Sequence, residues 1–196
     1  MIKKKLFILI LFFSILSTLS ASGSSLLSIG STESKVTVKV FSSLTCPHCA
    51  DFHGAIYKKL EKEYVSINKI KFEHHAFPLD LPALNAEKIL QCSSNSQTNM
   101  GLLTELYKRQ NKWTVGPNIK TINESIKKIG KEFDLTDIEM NKCLTNKDLE
   151  KKILNKRIEA QKNYKVKSTP TIYLNKKKYE GKRDYKSFKK AIDKLL

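Results

Sequence analysis

The sequence predicts an α/β fold: strand, helix, strand at the start, strand, strand, helix at the end, and a block of helices between them. Three observations predict it. Val36, Val38 and Val40 alternate with Thr37 and Lys39, the period of two that marks a strand with one buried face. Directly after Cys46-Pro47 the apolar spacing becomes helical, at Phe52, Ala55, Ile56 and Leu60. Strand character is then missing from about Pro82 to Tyr164 and returns only at Thr171-Ile172-Tyr173-Leu174.

Each element has its own local reason. Pro47 suits the first turn of a helix, where its missing N–H would have no partner anyway. That helix should reach about Tyr64, and Ile67, Ile70, Phe72, His74 and Ala76 should form the second strand, stopped at Phe77-Pro78. In the middle, Ala83 to Leu90, Leu102 to Tyr107 and Ile119 to Ile129 recur at helical spacing. Thr136 followed by Glu139 reads as a capping box opening a short helix with Met140 and Cys143. Leu149, Ile153, Leu154 and Ile158 carry a longer helix toward Tyr164. A hairpin through Asn175 to Lys178 leads to Tyr179-Glu180-Gly181, and Tyr185, Phe188, Ile192 and Leu195 form the last helix. Trp113 is expected in the core or at the edge of the helical block.

Composition narrows the class. In 196 residues, 40% are apolar and 28% charged, too apolar for a disordered chain and too charged for a multi-span membrane protein. Four Cys are too few for a disulfide scaffold that replaces a core. Lys3, Lys4 and Lys5 before an apolar run from Leu6 to Leu16, then small residues, have the order of a secretory signal peptide over residues 1–21. Ser14, Ser17 and Thr18 interrupt the run, so it is short for a membrane span. Export with cleavage near Ala21 is expected, leaving one domain over 22–196; an uncleaved N-terminal anchor is the alternative.

The net charge is +17, or +14 once the three signal lysines are gone. Lys58, Lys59, Lys127, Lys128, Lys151, Lys152, Lys176, Lys177, Lys178, Lys189 and Lys190 are spread along the chain and interleaved with acids. That reads as a solvated basic surface, not a nucleic-acid site.

The chemistry is expected at Cys46-Pro47-His48-Cys49. A thiol reacts as its thiolate, and a helix N-terminus offers unpaired N–H groups and the positive dipole end where Cys46 would sit. A protonated or hydrogen-bonding His48 adds to the same stabilisation. Three residues on, Cys49 returns to nearly the same face, able to close a disulfide with Cys46 yet more shielded. If a thiolate at Cys46 stabilises the reduced form, the disulfide oxidises other thiols. A c-type haem would need His where Ala50 stands, and a zinc site would need a second close ligand pair, so neither cofactor nor metal is expected. A plain structural disulfide here would be reducible, which is again redox chemistry.

The stretch Phe41-Ser42-Ser43-Leu44-Thr45-Cys46-Pro47-His48-Cys49, the mid-chain helical block and Ser168-Thr169-Pro170-Thr171 together resemble the DsbA-like thiol-disulfide oxidoreductases of the thioredoxin superfamily. The resemblance covers essentially the whole mature chain. It implies a thioredoxin fold with an all-helical insertion, about residues 82–164, between the βαβ and ββα halves. It implies that Pro170 is a cis-proline beside Cys46, with the Thr169 backbone pairing a substrate peptide; a trans Pro170 opening a strand is the alternative. It implies a periplasmic monomer that introduces disulfides into reduced exported proteins, reoxidised by a quinone-linked membrane protein of the DsbB type. A disulfide isomerase or reductase, or a redox-inactive chaperone-like module, is the alternative.

One position departs from that family. Six residues before its first active-site Cys the family commonly carries a buried acid that moves protons at the inner thiol, and here Val40 stands there. Cys92 and Cys143 are expected to pair as a structural disulfide, as leftover cysteines of exported chains usually do, with two buried free thiols as the alternative. Some DsbA-like relatives carry such an extra bridge. His53 is expected as a packed or half-exposed helix residue that borders the site at most. His74 and His75 fall on opposite strand faces and cannot chelate together.

Overall fold

The structure is a computed structural model that describes residues 26–196. The expected signal peptide, residues 1–21, lies outside the described residues. Five strands form one mixed sheet, β1 (Leu27–Ile29), β2 (Val36–Ser42), β3 (Ile70–Ala76), β4 (Thr171–Leu174) and β5 (Lys177–Lys178), in the order β1-β3-β2-β4-β5. β2 and β3 are parallel, and the other neighbours are antiparallel. The helical connection between β2 and β3 is what a parallel pair requires.

That connection is one continuous helical run. α1 (Pro47–Phe52) passes into a π-helical segment (His53–Tyr57), a short α-helical turn α2 (Lys58–Leu60) and a second π-helical segment (Glu61–Val65). α3 (Leu81–Leu90), α4 (Ser96–Lys108), α5 (Gln110–Trp113), α6 (Ile119–Lys131), α7 (Asp137–Thr145) and α8 (Lys147–Asn163) make the insertion, and α9 (Tyr185–Asp193) ends the fold. Thr136 caps α7 with the reciprocal Glu139 contact that the sequence predicts.

The sheet's two faces differ. Val36, Val38, Val40, Ile70, Phe72, Ile172 and Leu174 belong to the main core with Phe52, Tyr57, Leu103, Leu106 and Phe188. Burial on one face and helical cover explain why alternation was readable in β2. The opposite face carries a smaller cluster of Phe41, Phe77, Ala160 and Val166, against which Tyr164 and Tyr173 pack.

Several expectations are corrected. Ile67 is not in the second strand: the chain turns at Asn68 with φ of 56°, and Ile67 stays exposed. β1 was not expected, because three residues are too few to show a period. Gly30 follows it with φ of 97°, where a Cβ would run into the Ile70 carbonyl oxygen. Lys127 is buried, not solvated: its stem lies along the core side of α6, and Nζ meets Glu124 at 2.7 Å and Asn141 at 3.2 Å. Ile158 is exposed, since α8 turns Ile153 and Ala160 inward instead, and Leu195 lies beyond the end of α9.

Candidate active site

The site is built where β2 meets α1. β2 ends at Ser42, and the chain turns through Ser43, Leu44 and Thr45 so that Cys46 becomes the N-cap of α1, in extended conformation, with Pro47 in the first turn. The Cys46 carbonyl accepts from the N–H of Cys49 at 3.0 Å and of Ala50 at 3.2 Å, which closes the first turn and stacks the two cysteines on one side of it. Both thiols are free. Cys49 is 2% exposed and Cys46 7%, so Cys46 is the outer sulfur.

The two thiols are driven apart electrostatically. The Cys49 S–H donating to its sulfur, helped by Thr169 and the backbone N–H groups of Cys49 and His48 and opposed by burial, brings Cys46 from the ordinary 9.0 down to about 5. Burial, then the neighbouring Cys46 sulfur, pushes Cys49 far upward. Cys46 is therefore a thiolate at neutral pH while Cys49 keeps its proton.

Thr169 and Pro170 come from the other half of the fold. The Thr169-Pro170 bond is cis, and the Thr169 carbonyl oxygen lies 3.4 Å from Cys46 Sγ, from which it accepts only when Cys46 is a thiol. Arg183 Nη2 donates to the Pro170 carbonyl at 3.3 Å from the turn before α9. The Thr169 hydroxyl is buried without a hydrogen-bond partner among the described residues.

His48 stands apart from the cysteines. Its imidazole is solvent-exposed, with Nδ1 3.9 Å from Asp51. What reaches the Cys46 sulfur from position 48 is the backbone N–H. His53 is buried, with Nε2 2.9 Å from Thr104 Oγ1 and the ring stacked on Tyr57; burial, then the charge of His74, lowers it to about 3. It is neutral and adds no cation to the site.

Several residues of the site were not legible in the sequence. Gln110, opening α5, donates from Nε2 to the Leu44 carbonyl at 2.8 Å and to the Cys46 carbonyl at 3.1 Å. Asp80 caps α3 through Ala83 N–H and accepts from Thr45 Oγ1 at 2.8 Å, so the same carboxylate holds helix and active-site turn. Tyr107 of α4 is buried in the core that also holds Cys49, and burial opposes its ionisation. All three come from the insertion or its edge, far along the chain. Val40 is buried and apolar, with His74 as its register partner on β3.

Cys92, just past α3, and Cys143 in α7 are joined by a disulfide with Cα atoms 5.9 Å apart. The bridge is remote from Cys46 and Cys49 in sequence and ties two helices of the insertion.

Comparison with known proteins agrees with this geometry. The thioredoxin family profile, described as "Thioredoxin", matches residues 23–194. The chain belongs to the thioredoxin family. Within that family, a protein provisionally named a protein-disulfide oxidoreductase in Rickettsia bellii is 27% identical over 168 residues, which is 86% of this chain and 63% of that protein. The chain thus spans less than two thirds of that relative's length. Disulfide bond formation protein D of Bacillus subtilis is 26% identical over 179 residues, 86% of this chain and 76% of that one. Among solved structures, Wolbachia pipientis alpha-DsbA1 superposes with a TM-score of 0.78 at 23% identity, covering 86% of this chain and 89% of that one, a likeness of fold. The chain is thus DsbA-like: a thioredoxin fold with α3 to α8 inserted between the βαβ and ββα halves.

Proposed function

We propose that this thioredoxin-family protein is a thiol-disulfide oxidoreductase that introduces disulfides into exported proteins through Cys46 and Cys49. The observation that carries the reading is the split between the sulfurs, with Cys46 lowered to about 5 and Cys49 held as a thiol. A stabilised thiolate stabilises the reduced protein, by about 1.4 kcal/mol or about 30 mV per unit, so the bridged form takes electrons from its clients.

The exchange balances in two steps. A substrate thiolate attacks Cys46 Sγ, the Cys46–Cys49 bond breaks, and Cys49 leaves and takes up a proton. A second substrate thiolate then attacks the substrate sulfur of the mixed disulfide, and Cys46 leaves as the stable thiolate. The Thr169 backbone beside Cys46 offers the edge on which a substrate peptide aligns. Reoxidation by a quinone-linked DsbB-type membrane protein, monomeric action and residence in the periplasm behind residues 1–21 complete the proposal.

Equilibration of the Cys46/Cys49 pair with glutathione, alongside cleavage of a model disulfide, tests it. A potential well above thioredoxin's −270 mV or so supports the oxidant; a value near it makes the protein a reductase.

A further inference from the structure

The fold gathers at one end what the sequence scatters. β3 runs parallel to β2 with Ile70 opposite Val36, and β4 runs antiparallel with Leu174 opposite Val38. The loop before β2, the turn before β3, the turn after β4 and the chain after α9 therefore meet at the end of the sheet away from Cys46. The seven residues of β2 alone put about 23 Å between the two ends. Hydrogen bonds tie the segments together. Ser34 Oγ donates to the Asn68 carbonyl at 2.9 Å, Asn175 Nδ2 to the Lys35 carbonyl at 3.2 Å, and Lys35 Nζ to the Leu196 carbonyl at 2.8 Å.

That end is basic and apolar at once. Lys35, Lys69, Lys176, Lys177 and Lys194 are exposed on it, and among the described residues none of the five pairs with an aspartate or glutamate. Of the acids on these segments, Asp193 is held by Lys189 at 2.8 Å, which leaves Glu33. With the lysines stand Ile67, 56% exposed, and Leu195, 45% exposed. Neither can turn inward: Ile67 precedes the left-handed residue Asn68, and Leu195 follows the end of α9. Beside Leu195 a groove of about 580 Å³ is lined by Leu174, Tyr179 and Ala191 and edged by Lys176, Lys177 and Lys194. The exposed apolar groups here are aliphatic, so nucleic-acid bases find no exposed ring to stack on. Aliphatic side chains among unopposed lysines suit acidic headgroups over acyl chains.

We infer that the protein docks by this end, through Ile67, Leu195 and the five lysines, on membranes rich in acidic phospholipid, with Cys46 turned away from the surface. The inference goes beyond the redox reading and stands without it. The ammonium groups meet the headgroup phosphates, and the two aliphatic side chains reach below them. Two such side chains make a shallow anchor, so the hold is reversible and weakens with salt. A molecule held this way keeps Cys46 open to clients, and it leaves the surface readily to turn the redox pair toward a membrane protein.

The test is sedimentation of the exported protein with vesicles of phosphatidylglycerol and phosphatidylcholine, or of phosphatidylcholine alone, at low and high salt. Binding should need the acidic lipid and fall as salt rises. Lys176→Gln, Lys177→Gln and Lys194→Gln together should weaken it about a hundredfold, at about fivefold per lysine. Ile67→Ser with Leu195→Ser should weaken it about tenfold. All five side chains are exposed, so both variants should keep the wild-type melting midpoint. The rate of Cys46 alkylation should stay within about twofold on and off the vesicle, because the sulfur lies more than a Debye length from the lipid at physiological salt. Equal sedimentation with both kinds of vesicle, or variants that bind like the wild type, overturns the inference. Lysine-dependent binding that ignores Ile67 and Leu195 and is matched by polyglutamate makes the partner an acidic protein and overturns it too. Shielding of Cys46 on the vesicle overturns the orientation.

Discussion

Cys46 and Cys49 differ by one helical turn, and that turn decides their chemistry. Cys46 has the N-terminal amides and the Cys49 S–H to share its charge, whereas at Cys49 burial and the neighbouring Cys46 sulfur outweigh what Ser43 and Thr169 offer. The tetrapeptide made this division legible, because a helix start after a strand fixes which sulfur faces out. The part of His48 was legible only in type. An exposed imidazole 3.9 Å from Asp51 acts on Cys46 through water, where charge is screened. His48→Ala should therefore raise the Cys46 pKa by less than about one unit, and added salt should shrink the shift. Thiolate absorbance at 240 nm against pH measures it; a rise of several units would give the imidazole a direct contact that the structure lacks.

At the scale of elements, the insertion supplies the clamp on the active-site turn. Gln110 is the sole side-chain donor to the Leu44 carbonyl among the described residues, while the Cys46 carbonyl has the N–H groups of Cys49 and Ala50 as well. Gln110→Ala should orphan a buried carbonyl and lower stability by about 1–3 kcal/mol, seen as a lower denaturant midpoint with an unchanged slope. An unchanged midpoint would mean that water replaces the amide.

The bridge between α3 and α7 acts elsewhere. It closes a loop of 51 residues, so replacing Cys92 and Cys143 together by Ala should cost about 4 kcal/mol in the chain-entropy account. The potential of Cys46 and Cys49 should stay within error, because no described hydrogen bond runs from the bridge to the redox pair. Unfolding and glutathione equilibration of the double variant check both halves. The helices themselves were readable from their 3.6 period and caps, but what they hold was not. Gln110, Asp80 and Tyr107 meet the active-site turn through tertiary packing alone, and Lys127 pairs locally with Glu124 but lies on the core side of α6 through packing that no local pattern shows. β1 is too short to show alternation, and Ile67 looked like strand only because β-branched residues do so in any context.

For the whole molecule, the proposed redox chemistry and folding stability are coupled through one proton. In the folded reduced protein Cys46 titrates at about 5, against about 8.5 in an unfolded chain. A group with a depressed folded pKa binds fewer protons folded than unfolded, so its stabilisation is complete above about 8.5 and is lost as pH falls toward 5. Cys49 is displaced the other way, so its contribution is present below about 8.5 and fades only above it. Within pH 5 to 8.5 the change therefore belongs to Cys46. The bridged protein has neither titration, and the groups common to both forms cancel in the difference. The stability of the reduced protein minus that of the oxidised one should rise across this window, with a ceiling of about 5 kcal/mol at about 1.4 kcal/mol per unit. Parallel denaturant unfolding of the two forms at pH 5, 6, 7 and 8 measures the gap. A gap that widens with pH means that the bridge is held at the expense of the fold, which is the condition for passing it to a client. A gap flat with pH would leave Cys46 an ordinary thiol and remove the driving force from the proposed reaction.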